Sequence, residues 1–118
     1  MKKINLSITG CMGRMGKHLI KSSQKDNRFK LVSLTENKII EKKISGIKIE
    51  QNTTKAFEKS DLIIDFTIPS CTLDLLKIAS KLKKRVVIGT TGFSKKQQYL
   101  IKQYSKKIPI VQAGNMSL

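Results

Sequence analysis

Short apolar runs alternate with amphipathic stretches along the whole chain. Ile4 to Thr9 (INLSIT) is short, rich in β-branched residues and ends at Gly10, which predicts a buried strand. From Gly13 to Lys25 the apolar positions Met15, Leu19 and Ile20 are interspersed with Lys17, Lys21 and Lys25, as an amphipathic helix requires. Phe29 to Leu34 (FKLVSL) predicts a second strand, closing in the polar group Thr35-Glu36-Asn37-Lys38. Between Ile39 and Gln51 the isoleucines Ile44, Ile47 and Ile49 suit either a hairpin or a short third strand. Thr53 to Glu58 offers an N-cap and a short helix, and Leu62 to Thr67 forms a strongly apolar strand. Pro69 is expected to stop that strand, with Ser70 capping a helix that carries Leu73, Leu75, Leu76, Ile78, Ala79 and Leu82. Arg85 to Ile88 predicts another strand, ended by Gly89-Thr90-Thr91-Gly92. Ser94 caps a last helix bearing Leu100, Ile101 and Tyr104, and Ile108 to Val111 closes the pattern as a strand.

This is β and α in alternation. Strands buried on both sides cannot alternate in polarity, so near-continuous apolar runs separated by amphipathic helices predict a parallel sheet covered on both faces. Crossover connections of one hand then bring the C-terminal ends of the strands to a single edge. All the glycine-rich and Thr/Asn-rich turns are expected on that crest.

A length of 118 residues allows one domain and one core. Its hydrophobic share of 39%, beside 27% charged residues, is that of an ordinary folded domain and excludes whole-chain disorder. The net charge of +16 raises the possibility of a polyanion partner. Lysine, however, supplies 21 of the 24 basic residues and is scattered along the chain, with six aromatics in all and no Trp. A nucleic-acid face favours Arg and interleaved aromatics, so the charge reads as a solvated lysine-rich surface with no nucleic-acid partner. Cys11 and Cys71 stand far apart outside any metal-ligand spacing, and no metal is expected. Without a signal-peptide core or an apolar run of membrane-spanning length, the expected setting is cytoplasmic, with reduced thiols and no membrane partner.

The chemistry concentrates in Gly10-Cys11-Met12-Gly13-Arg14-Met15-Gly16, where a strand hands over to a helix. In this GxxGxxG the first glycine permits the tight turn, the second lets a pyrophosphate approach the backbone, and the third lets helix and strand pack closely. Free amides and the positive end of the helix dipole would face the phosphates. The spacing departs from the dinucleotide fingerprint GxGxxG, and a plain strand-to-helix turn explains it as well. Arg14 reads equally as a phosphate ligand or a solvated first-turn residue. Glu36, 20 residues after Gly16, stands where a carboxylate accepts hydrogen bonds from an adenosine ribose and repels a 2′-phosphate. A surface role for Glu36 is the competing reading, and Lys38 nearby leaves a phosphorylated ribose open. Asp65 reads as a strand-end cap, His18 as a solvated helix residue, and Cys71 as a packing residue without a base. Phe66 and Thr67, with the GTTG turn, are placed to line the nicotinamide side.

The segments GCMGRMG, IIDFT followed by Pro69, VVIGTTGF and VQAGNMSL together resemble the N-terminal domain of dihydrodipicolinate reductase (4-hydroxy-tetrahydrodipicolinate reductase), a bacterial and plant family of lysine biosynthesis. The resemblance runs from about Ile4 to Leu118. It implies a Rossmann-type, doubly wound, mainly parallel single domain over residues 1–118 that binds NADH or NADPH. The loop Gly10, Cys11, Met12, Gly13, Arg14 and Met15 is implied to hold the pyrophosphate, and Glu36 the adenosine ribose. Asn37 stands where the family often has an Arg for the NADPH phosphate. Gly89, Thr90 and Thr91, with Ala113, Gly114, Asn115 and Met116, are implied to lie along the nicotinamide. The family's catalytic residues belong to a C-terminal substrate domain, with a His-His pair, a Lys and a Ser-Gly-Thr segment, which also builds a homotetramer. That domain is expected to be absent from these residues, so the chain alone should bind cofactor without turning over 4-hydroxy-tetrahydrodipicolinate. Two other classes remain beside this expectation: a non-catalytic dinucleotide-binding or regulatory module, and a basic polyanion-binding protein.

Overall fold

The computed structural model describes residues 2–113. One seven-stranded sheet runs in the order β3-β4-β2-β1-β5-β6-β7. Its strands are β1 (Ile4–Thr9), β2 (Phe29–Thr35), β3 (Lys43–Ile44), β4 (Ile47–Glu50), β5 (Leu62–Asp65), β6 (Arg85–Ile88) and β7 (Ile110–Gln112). The helices are α1 (Arg14–Gln24), α2 (Thr54–Phe57), α3 (Pro69–Leu82) and α4 (Lys95–Tyr104). Every strand pair is parallel except β3 with β4. The chain starts in the middle of the sheet, builds outward through β2 and β4, then returns beside β1 to build β5, β6 and β7 on the other side. That reversal defines a Rossmann-type doubly wound sheet, whose switch point lies between β1 and β5.

Strand β5 demonstrates why the apolar runs are continuous. Ile63 packs into a core formed with Leu75, Leu76 and Ala79 of α3, Ile101 of α4 and Phe57 of α2. Its neighbours Leu62 and Ile64 face the opposite core, with Leu6 and Ile8 of β1, Leu34 of β2, Ile49 of β4 and Ile20 of α1. Two-sided burial removes the alternation a one-sided sheet would display.

The hairpin option for Ile39 to Gln51 is the observed one. Ser45 and Gly46, with φ of 53° and 79°, form a two-residue turn whose twist matches that of paired strands. Because β4 runs parallel to β2, this turn sits away from the crest, so the expectation that every glycine turn collects there fails at Gly46. The Ser70 cap is also corrected. Pro69 takes the first helical position, Ile68 is the extended N-cap, and no side chain caps the helix. Proline needs no amide acceptor there and forces the preceding residue to be extended, so the helix starts two residues earlier than a serine cap would set it. The last strand is displaced to Ile110–Gln112, with Ile108 buried in the core before it. Ser94 does close a capping box with Gln97 at the start of α4.

Helix α3 ends in Lys83, a lysine in the left-handed region at φ 57° and ψ 47°. A Cβ is disfavoured there and glycine is free of the penalty, so Lys83→Gly is expected to stabilise the domain by about 1 kcal/mol. The check is a higher urea midpoint with an unchanged slope; an unchanged midpoint rejects it.

Candidate functional site

At the switch point the chain leaves β1 through Gly10, whose φ of +70° and close seat against the Phe66 carbonyl oxygen admit no Cβ. Gly16 is equally enclosed, against the Gly10 carbonyl, where α1 crosses the strand end. Gly13 differs. Its φ of −73° and ψ of 169° are ordinary extended values, and a Cβ would meet only the Gly10 oxygen at 3.3 Å. Folding therefore explains the outer two glycines, whereas the middle one is exposed and keeps the loop surface low.

The hydrogen bonds of the loop narrow the expectation that its amides are free. Gly10 N and Cys11 N donate to the Thr35 carbonyl at 3.0 and 3.2 Å, and Gly13 N donates to Gly10 O at 3.0 Å. Met12 N donates to Glu36 Oε2 at 2.7 Å. The first bond of α1 is Lys17 N to Gly13 O, and no side chain caps the helix. The amides of Arg14, Met15 and Gly16 thus precede the helical ladder, and those of exposed Arg14 and half-buried Met15 remain available, at the positive end of an 11-residue helix with no acidic residue in its first turn. An anion binds such an end through main-chain donors. Arg14 is exposed beside it.

Glu36 follows the end of β2 and is half-buried. One carboxylate oxygen braces the loop at Met12, while Oε1 has no hydrogen bond among the described residues. Burial, and next the Glu36 charge, push the Cys11 thiol up to about 11, so Cys11 is an inert packing residue at neutral pH. A crevice of about 270 Å³ opens between these parts. Gly10 and Gly13 form one wall, Phe66, Thr67 and Ile68 the other, and Glu36 with Asn37 the mouth. Larger clefts exist, such as one of about 460 Å³ at the opposite sheet edge near Lys2, Lys84 and Arg85, but the available main-chain donors lie at the crest.

Asp65 is not a strand-end cap. It is fully buried and accepts hydrogen bonds from four threonine hydroxyls: Thr9 and Thr67 on Oδ1, Thr72 and Thr90 on Oδ2. Gly89 lies against the Phe66 ring, so closely that no side chain fits, and Gly89 N donates to Asp65 O at 2.7 Å. Thr90 is buried and Thr91 exposed, while Ala113 N donates to Ile88 O at 2.7 Å. Gly114, Asn115 and Met116 lie outside the described residues. Asn37 is exposed, its Nδ2 3.9 Å from Cys71 Sγ. His18 is exposed on α1. The sequence reading missed Ile68, whose exposed side chain borders the crevice, and the Thr9 and Thr72 hydroxyls; nothing local distinguishes these residues. Among the described residues no group of three His, Cys, Asp or Glu side chains gathers for a metal, and no helix is long and apolar enough to cross a membrane.

Bare amides at a helix start, a low glycine wall and a free carboxylate oxygen across the crevice fit a dinucleotide's diphosphate and ribose hydroxyls. Comparison with known proteins supplies the family. The family described as dihydrodipicolinate reductase, N-terminus, matches residues 4–116. The chain belongs to this family. It is 69% identical over 118 residues to the 4-hydroxy-tetrahydrodipicolinate reductase of Pelagibacter ubique (strain HTCC1062), covering all of this chain and 46% of that protein. It is 41% identical to the reductase of the same name from Bdellovibrio bacteriovorus, covering all of this chain and 47% of the relative. The chain thus spans about half the length of the curated relatives it matches. The fold is shared with a dipicolinate-bound dihydrodipicolinate reductase from Paenisporosarcina sp. TG-14, at TM-score 0.79 and 21% identity over 97% of this chain and 48% of that one. An S. aureus homoserine dehydrogenase shares it at TM-score 0.77 and 16% identity, covering 95% of this chain and 32% of its own. Family membership and fold together make this an N-terminal nucleotide-binding unit of the reductase family.

Proposed function

We propose that residues 1–118 are the dinucleotide-binding half of a 4-hydroxy-tetrahydrodipicolinate reductase and that the crest binds NADH in preference to NADPH. The intact enzyme would work in the cytoplasm as a homotetramer, its other half binding the substrate and supplying the proton. The observation that carries the reading is Glu36, fixed by the Met12 amide with its second oxygen free at the crevice mouth.

When bound, the nicotinamide supplies the hydride that reduces the cyclic unsaturated substrate to tetrahydrodipicolinate. The crest residues of this chain have binding tasks. Arg14 and Met15 offer main-chain donors to the diphosphate, and Gly13 keeps that approach clear. Glu36 accepts from the adenosine ribose hydroxyls and repels a 2′-phosphate. Phe66, Thr67 and Thr90 support the half of the cofactor that lies over β5 and β6, with Gly89, Thr91 and the segment Ala113 to Met116 beyond them. Among the described residues lining the crevice Glu36 is the one ionisable side chain, and it has the ribose task, so the general acid is assigned to the other half.

Titration of the purified chain, read by nicotinamide fluorescence, tests this. NADH is expected to saturate the site and to bind roughly tenfold tighter than NADPH. Glu36→Gln keeps an oxygen for Met12 but removes the charge, and is expected to close most of that gap. Saturation by neither nucleotide, or a gap unmoved by Glu36→Gln, overturns the reading. Steeply salt-dependent binding to nucleic acid in place of NADH binding would favour a polyanion-binding protein.

A further inference from the structure

The buried carboxylate of Asp65 has no part in the phosphate or ribose contacts. Carrying an unpaired carboxylate into a protein interior costs several kcal/mol unless hydrogen bonds replace its water. Here four hydroxyls replace it, and among the described residues no lysine or arginine forms an ion pair with it. The four come from four segments: the end of β1, the turn after β5, the first turn of α3 and the turn after β6.

The topology explains how they meet. Thr9 and Asp65 are register partners on adjacent parallel strands, so their side chains stand side by side on one face. Thr67 lies two residues further on, and Thr72 comes back from the start of α3. Thr90 lies two residues beyond Ile88, the register partner of Asp65 on β6. A carboxylate ending β5, between β1 and β6, is therefore the one point that all four segments reach.

The consequence for the crevice runs through Thr90. A threonine hydroxyl has one hydrogen to give. Thr90 gives it to Asp65 Oδ2 at 3.1 Å, which leaves its lone pairs to accept from the Thr67 amide at 2.8 Å. The carboxylate thus sets the hydroxyl's orientation, and the hydroxyl fixes the wall residue Thr67. Thr9 in the same knot immediately precedes Gly10 of the facing wall. Glu36 takes the ribose on the β2 side of the switch point, so the remainder of an extended dinucleotide must pass over β5 and β6, where Thr67 and Thr90 lie.

We propose that Asp65, acting through the Thr90 hydroxyl, is the positioning residue for the nicotinamide half of the bound dinucleotide. The assignment rests on the dinucleotide reading above. It distinguishes Thr90, which accepts from the main-chain amide of the wall residue Thr67, from Thr72, which bonds the same carboxylate oxygen but meets only the Thr67 hydroxyl, at 3.3 Å.

The test compares affinities of the purified chain for NADH and for ADP-ribose, which lacks only the nicotinamide. The parent is expected to bind NADH more tightly than ADP-ribose by roughly tenfold. Thr90→Val keeps the shape, loses the hydroxyl, and is expected to abolish that difference while holding ADP-ribose within about twofold of the parent. Thr90→Ser, which restores the hydroxyl, should restore the difference. Thr72→Val should lower stability without changing the ratio of the two affinities. Faster hydrogen exchange at the Thr67 amide in Thr90→Val would report the lost acceptor directly. If the parent binds neither ligand, the dinucleotide reading itself falls and takes this assignment with it. If the parent binds both equally, or Thr90→Val keeps the parent's ratio, or Thr72→Val loses it as well, the positioning role alone is overturned.

Discussion

Gly13→Glu is expected to fold like the parent and to bind NADH roughly a hundredfold more weakly, a loss of about 2.7 kcal/mol. The stability half follows from the backbone. At φ −73° and ψ 169° any residue is comfortable, and the new Cβ would press only on the Gly10 carbonyl at 3.3 Å, which needs a few tenths of an ångström of relief. The side chain would point into open space above the first turn of α1. The binding half is electrostatic, since a carboxylate there faces the diphosphate over the same amides. Like charges roughly 5 Å apart at an effective dielectric of about 20 repel by about 3 kcal/mol per pair. Gly10→Ala should do the reverse and unfold the domain, because its φ is +70° and its Cβ would enter the Phe66 carbonyl. Urea denaturation and an NADH titration on both variants separate the two roles. Parent-like NADH affinity in Gly13→Glu would remove the phosphates from this loop, and loss of folding would contradict its exposed position.

The contrast between these glycines marks how far the sequence could be read. Three glycines at equal spacing behind an apolar run announced a strand, a turn and a helix, because each restriction there acts over a few residues. The alternation of strands and helices was legible for the same reason, whereas the strand order that places the switch point between β1 and β5 rests on long-range pairing and emerged only in the fold. Glu36 was found by its distance from the loop, although the bond that anchors it to Met12 spans 24 positions and left no local trace. The same holds for the amides: only the fold reveals that Thr35 and Glu36 consume those of Gly10, Cys11 and Met12, moving the anion donors one turn along α1. Ser70 and Pro69 both satisfied helix-start rules, and the ring's fixed φ prevailed over the hydroxyl. Asp65 was the largest misreading. Its hydroxyl donors lie 56, 2, 7 and 25 positions away, and a local pattern offers only the nearest of them.

Asp65→Leu should therefore be among the most damaging single substitutions in the chain, at roughly 4 kcal/mol of stability, although leucine is close in size. Four hydroxyls lose their acceptor at once, and a buried polar group without a partner costs about 1–3 kcal/mol. Part of the loss is recoverable, since Thr67 Oγ1 lies 3.3 Å from Thr72 Oγ1 and 3.4 Å from the Ile68 carbonyl. That places the total below the sum of four orphaned groups, yet it remains a large share of the roughly 5–15 kcal/mol that holds a domain of this kind together. Asp65→Asn keeps one oxygen and should lose about half as much, because its amide hydrogens can turn two hydroxyls into acceptors but not all four. A cycle with Thr9→Val gives the decisive comparison. If the knot is real, Thr9→Val costs clearly less in the Asp65→Leu background than in the parent, because its acceptor is already gone. Equal costs in the two backgrounds, or a loss below about 1 kcal/mol for Asp65→Leu, would mean that the four hydroxyls find their partners elsewhere and that the crest does not depend on this carboxylate.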